Sequence, residues 1–438
     1  MKCHLLGLVA TLLLCASVSI AETSIRFSVD SKTESPNQKT TAEQYQLTVL
    51  LGEAKIEART PTSIEIHDFE QELIYTKESD SEAYIRSSLY SDIGFRVYEF
   101  RNRLMLGGAL SAADIDDNPM LVPFSEHLFS LKANDAPALK RRKRSEAIDF
   151  SFQGKPLFSY SLKGTPVDAA TGERFILFLR YRYGVHPDIL QELQNRNAIP
   201  KTLVIYRRHV EVAQFALTTE SIELVDQSAF SETSYSLPPQ GTPLLDLSAA
   251  MQRQTDQAYR AYCQSLFDDA IAAAESERDL ESACLFLGYT LAAGEKLPQP
   301  FFEYRDRFTK DPAIQSLFSA LNPTSEAAAK AALPTLTDLL SGVERGRSVI
   351  LIFRANVLAS LNKAPQAIAD FHEALDAEPM IVGAWKDLGD LYYQSYQPQD
   401  AWACWTAARS LNADHHLLQS IDDFEAQLKS KNPEFFLP

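Results

Sequence analysis

The chain has 438 residues, 45% of them hydrophobic and 23% charged, a composition of globular protein and not of disordered or collagen-like chains. Its formal charge of −16 makes nucleic acid and anionic membrane surfaces poor partners overall. A single core would outgrow the usual limit at this length, so two or more domains are expected.

Met1-Lys2-Cys3-His4 leads into an almost unbroken apolar run from Leu5 to Ile20, with Ser19-Ile20-Ala21 standing before Glu22. A charged start, a short apolar run and small residues at the −3 and −1 positions predict a signal peptide over 1–21, cleaved after Ala21. The run falls short of the roughly 20 residues that cross a bilayer, and Leu13-Leu14 before Cys15 do not suit lipidation. No other stretch is long and apolar enough to span a membrane. The only N-glycosylation candidate, Asn322-Pro323-Thr324, carries the forbidden proline, which leans the expected location from secreted in general toward a bacterial periplasm.

From Glu22 to about Phe230 the apolar pattern has mostly period two, which places alternate side chains on opposite faces of a strand. Ile25, Phe27 and Val29 alternate, as do Tyr45, Leu47, Val49 and Leu51, and then Ala54, Ile56 and Ala58. Ile64 and Ile66, Leu73 and Tyr75 continue as sequential hairpins around the polar turn Lys77 to Ser81. Further strands fit Phe150 to Phe152, Phe158 to Leu162, Phe175 to Tyr183, Leu203 to Tyr206 and Val212 to Leu217. The connections are too short for parallel crossovers, so the sheet is expected to be antiparallel. Ser91 or Asp92 can cap a helix whose Ile93, Val97, Phe100 and Leu104 share one face, stopped by Gly107-Gly108, and a second short helix fits Pro187 to Gln194. The expected class for 22–235 is therefore α+β.

Two segments in this half invite functional readings. Asp114-x-Asp116-x-Asn118 begins like a calcium loop but has Pro119 where the turn needs glycine and Ser125 where a bidentate glutamate belongs, so an acidic surface loop is expected. Lys140-Arg141-Arg142-Lys143-Arg144 is expected to be a solvated loop; a nuclear signal conflicts with export, and a processing site needs a eukaryotic secretory route. Successive hairpins forming a curved sheet with a covering helix resemble the half-barrel of periplasmic lipoprotein carriers. That resemblance implies an apolar concave face holding acyl chains, and Phe69, Phe95, Phe100 and Phe158 are the residues that would line it. Aromatic residues at strand spacing also serve as plain core.

Ser236-Leu237-Pro238-Pro239-Gln240-Gly241-Thr242-Pro243 can extend neither helix nor ladder and is read as the linker, 236–243. Helical spacing then takes over. Tyr259, Tyr262, Leu266, Ala270 and Ala274 recur at three and four, and further helices fit Pro312 to Leu321, Glu326 to Leu340, Val349 to Leu361, Pro365 to Ala377, Val382 to Ser395, Gln399 to Leu411 and His415 to Ser430.

Shifted by 34 residues against itself, the chain places Leu351 on Trp385, Ala355 on Gly389, Leu358 on Tyr392, Ala367 on Ala401, Phe371 on Trp405 and Ala374 on Ala408. The later copy, Trp385-x2-Leu388-Gly389-x2-Tyr392 with Ala401, Trp405 and Ala408, resembles the tetratricopeptide repeat over 348–415. Ala355 for glycine and Ala413 for proline depart from the pattern. About three such units are needed for stability, so 244–347 is expected to supply degenerate earlier units and 416–438 a capping helix and tail. The resemblance implies an all-α solenoid whose concave face binds a protein or peptide segment. Its groove positions fall on Ile352, Asn356, Ala359 and Ser360, and on Lys386, Asp390, Tyr393 and Gln394. Asp390 puts an anion where a carboxylate clamp wants an amide, so a mixed or basic segment is the expected ligand.

Cys263, Cys284 and Cys404 remain after leader removal, an odd count that makes no disulfide framework, and three buried thiols are expected. No spacing motif for metal proteases, phosphate loops, dinucleotide folds or nucleophile elbows is found, and the histidines are scattered. The chain is expected to be a binding protein, not an enzyme, with no cofactor and no metal; a carrier or sensor of an apolar ligand is the alternative.

Overall fold

The computed structural model describes residues 22–35, 39–81, 84–110, 121–209, 211–225 and 243–437. The predicted leader, the Asp114–Asn118 loop and all but the end of the predicted linker, with the boundary at 235, lie outside the described residues.

Strands β1 (Glu22–Glu34) and β2 (Thr41–Leu51) pair antiparallel with Ile25 opposite Val49 and Phe27 opposite Leu47. All four side chains are fully buried, so the period-two pattern marks the covered face. Hairpins continue through β3 (Lys55–Arg59), β4 (Ser63–Asp68), β5 (Leu73–Glu78) and β6 (Ile85–Ser88). Helices α1 (Leu89–Leu110) and α2 (Val122–Phe129) follow, then β7 (Lys140–Lys143), β8 (Ala147–Phe152), β9 (Lys155–Ser161) and β10 (Gly164–Pro166). After α3 (Ala169–Tyr183) and α4 (Pro187–Gln194) come β11 (Ala198–Pro200), β12 (Thr202–Arg208) and β13 (Val212–Val225). The main sheet has the order β6-β5-β4-β3-β2-β1-β13-β12-β9-β8-β7, with every pairing antiparallel; β10 and β11 form a separate two-stranded ladder.

Three expectations for this half are corrected. Phe175 to Tyr183 is helix, not strand: Asp168 accepts a hydrogen bond from the Thr171 amide at 2.8 Å and caps α3. The helix is buried nearly all round, with Phe175 and Phe178 stacked on Phe27 at 6.5 and 6.4 Å, so its run FILFL has no polar face to betray a helical period. Helix α1 starts at Leu89 and runs through Gly107-Gly108 to Leu110, and α2 was not expected at all. The basic run is no loop: Lys140 to Lys143 form β7, the last strand of the sheet, with every residue exposed.

The second half is helical throughout. It comprises α5 (Pro243–Met251), α6 (Asp256–Glu275), α7 (Asp279–Ala293), α8 (Gln299–Glu303), α9 (Arg305–Phe308) and α10 (Pro312–Ala320). Then come α11 (Glu326–Leu339), α12 (Arg347–Ser360), α13 (Ala364–Ala377), α14 (Val382–Gln394), α15 (Pro398–Leu411) and α16 (Gln419–Lys431). Consecutive helices pack as pairs, α6 on α7, α10 on α11, α12 on α13 and α14 on α15. Turns as short as Leu361–Lys363 and Ser395–Gln397 make such partners antiparallel. The last helix starts at Gln419, not His415; His415 instead caps a short 3₁₀ turn over His416–Leu418.

The halves are not independent. One apolar cluster runs from the sheet through the helices. Helix α15 lies on α1 so closely that a Cβ added at Gly94 would stand 2.7 Å from Trp402 Cη2. The Tyr181 hydroxyl donates to the Phe435 carbonyl at 2.7 Å, and Lys429 pairs with Glu72 at 2.7 Å.

Candidate functional site

The expected helical groove positions divide into three kinds. Asn356 on α12 donates from Nδ2 to Asp387 Oδ2 at 2.8 Å across to α14, where Lys386 pairs with Asp390 at 2.7 Å and Asp387 at 3.7 Å. Trp405 Nε1 donates to Asp390 Oδ1 at 3.2 Å and so anchors this strip to α15. Burial opposes the Lys386 charge, but the hydrogen bond and charge of Asp390 outweigh it and hold the ammonium pKa above its ordinary value. Burial pushes the Asp387 carboxyl up. Ser360 and Gln394 are exposed at the margins of the strip.

Ile352 and Tyr393 do not belong to an open groove. Ile352 is fully buried. Helix α7 packs on both α12 and α14, with Gly288 facing Val349 and Gly383 facing Leu291. Tyr393 is half-buried among Trp402, Trp405, Phe424 and Tyr98 of α1, at ring distances of 5.8, 5.8, 5.2 and 5.5 Å. Those two residues are core and interface, because the helical surface they lie on is met by the chain's own α7 and α1.

None of the four phenylalanines expected on the concave face lines the hollow between β3, β4 and α3. Phe69 packs on Tyr181 at 5.8 Å and His67 at 6.3 Å, Phe158 on Tyr160 at 6.4 Å, and Phe100 is buried. Phe95 is the exception, 48% exposed on α1; Met105 and Leu106, about three turns further along the same helix, are also exposed. The hollow between β3, β4 and α3, lined by Ile56, Ala58, His67, Phe178 and Tyr181, measures about 10 Å³. That is room for about one water and none for an acyl chain.

A polar cluster that the sequence did not announce joins α2 to α3 and α4. His186 Nδ1 accepts from the Asp188 amide at 3.2 Å, which leaves its proton on Nε2 for Glu126 Oε2 at 3.0 Å. His127 Nδ1 accepts from the His186 amide at 3.1 Å, and Ser130 donates to the Val185 carbonyl at 2.6 Å. Arg180 donates to the Ser130 carbonyl at 2.9 Å and lies 5.1 Å over the Phe435 ring. Burial lowers the Arg180 pKa to about 10 and, with His186 and Arg207 nearby, His127 to about 3. A glutamate–histidine pair is general-base chemistry. Here both partners are buried, Ser130 donates to the Gly184 and Val185 carbonyls, and the bonds clamp α2 to the turn between α3 and α4. Its members lie some 60 residues apart, and no spacing rule links them.

Cys263, Cys284 and Cys404 are free and buried, and burial raises their thiols, Cys284 to about 12. Among the described residues no group of three His, Cys, Asp or Glu side chains is placed to hold a metal, and no helix is long and apolar enough to cross a membrane.

The fold thus defines an antiparallel sheet with helices on one face, continued by paired helices in a shared core. No family model matches the chain, and no curated protein matches it. Among solved structures, a LolA superfamily protein from Nitrosomonas europaea is similar over 47% of this chain and 87% of its own, at 12% identity and a TM-score of 0.18.

Proposed function

We propose that this is an exported, periplasmic, non-enzymatic protein that binds a segment of a partner protein on its helical half, whose α12–α15 pairs are tetratricopeptide-type repeats. The polar strip Asn356–Asp387–Lys386–Asp390, bordered by exposed Ser360 and Gln394, carries the reading. Its side chains bond to one another across two helices, so a ligand with mixed charge can exchange for those bonds one by one. The 34-residue spacing and the apolar run before Ala21 support the repeat and export parts. Photo-crosslinkers at Ser360 and Gln394, introduced in the native host, should give a discrete adduct. Asn356→Ala with Lys386→Ala should remove it while the circular dichroism stays unchanged; an undiminished adduct refutes the strip.

A second reading, a carrier or sensor of an apolar ligand on a curved, half-barrel-like sheet domain, is favoured by exposed Phe95, Met105 and Leu106 on α1. Native mass spectrometry of the whole chain should then show co-purified lipid that Phe95→Asp releases. A clean apo mass refutes it.

A further inference from the structure

We propose that β7 is a docking edge for an extended acidic segment of a partner protein, which adds to the sheet as a further strand. Edge strands are commonly guarded against pairing by charged side chains. This edge carries five consecutive cations, Lys140 to Arg144, in a chain of net charge −16, and its four strand residues are all exposed.

The register says where the charges point. Arg141 stands opposite Phe150 and Lys143 opposite Ile148, both buried, so these two lie on the helix-covered side of the sheet. Lys140 opposite Ser151 and Arg142 opposite Asp149 lie on the other side. Two of the five are already engaged: Arg141 forks onto Glu192 at 2.8 and 3.0 Å, and Arg144 pairs with Asp149. Among the described residues Lys140, Arg142 and Lys143 hold no ion pair, although the Arg142 charge also acts on the Asp149 carboxylate opposite it; positive charge remains on both faces of one edge.

That distribution separates the occupants. A membrane is a plane and would gather cations on a single face. An added strand presents its own side chains alternately to both faces while its amides and carbonyls fill the side of β7 that no described strand pairs. Acidic residues along such a segment would meet Lys140 and Arg142 on one side and Lys143 on the other. The surface is separate from the helical strip, and the inference does not rest on the function proposed above.

The test uses the full chain and a capped seven-residue peptide of alternating glutamate and threonine, followed by fluorescence anisotropy. Binding should weaken steeply with salt, and Lys140→Gln, Arg142→Gln and Lys143→Gln together should weaken it by about tenfold or more. These exposed positions leave Arg141 and Arg144 in place, and the Glu-substituted triple variant is the second check. A peptide N-methylated at alternate residues should not bind, because it cannot complete the ladder. No binding by the unmodified peptide at low salt, equal binding by the triple variant, or equal binding by the N-methylated peptide would each overturn the proposal. So would co-sedimentation with phosphatidylglycerol vesicles in the absence of peptide binding.

Discussion

Gly389 sits where α14 meets α15, and a Cβ there would overlap Trp405 Nε1. Gly389→Ala should cost about 1–3 kcal/mol by overpacking, measured as a lower urea midpoint at unchanged slope; an unshifted midpoint would show that Trp405 yields. Phe435 shows the opposite case, a fully buried ring under Arg96 and Arg180 whose carbonyl accepts from Tyr181. Phe435→Ala should cost about 3–5 kcal/mol through the cavity it leaves. Nothing in the local sequence distinguishes Phe435 from an exposed tail residue, because its seat is built by residues more than 250 positions earlier. Gly389 was legible, since the 34-residue spacing asks for a small residue there.

Helices and strands were legible to the extent that one face of each met water. The pairs α12–α13 and α14–α15 end within a few residues of expectation, because their exposed faces keep a helical period. Helix α3 shows no helical period in its sequence because none of its faces is wet along its length. The α2–α4 clamp also lies at this scale and has a pH signature. The His127 pKa is lowered from 6.5 to about 3 by burial, so the unfolded chain takes up a proton that the native one refuses. The contribution is intact above about pH 6.5 and is lost as pH falls toward 3, at roughly 1.4 kcal/mol per unit. His127→Gln should flatten the pH dependence of the urea midpoint between those limits. An unchanged slope would locate the acid sensitivity elsewhere, with His415, itself lowered to about 4, the next position to substitute.

At the scale of the whole molecule, the sheet and helices share a core through α1, α3, α15 and Phe435. The three tryptophans, Trp385, Trp402 and Trp405, all report from the helical half. If the core is one cooperative unit, tryptophan fluorescence and hydrogen exchange of the β1 and β13 amides should show unfolding at one urea concentration. Two separated transitions would mean that the halves fold apart, as the length and the proline-rich stretch at 236–243 lead one to expect.

By itself the sequence determined the antiparallel hairpins, the helical second half and the 34-residue spacing, since each is a local period imprinted wherever an element has one wet and one dry side. Only the tertiary structure decided that Phe175 to Tyr183 is helix, that Lys140 to Lys143 closes the sheet as an edge strand, and that α7 lies against α12 and α14 and α1 against α15. Those outcomes depend on which buried surface meets which, and a period of two or of 3.6 carries no record of its partner.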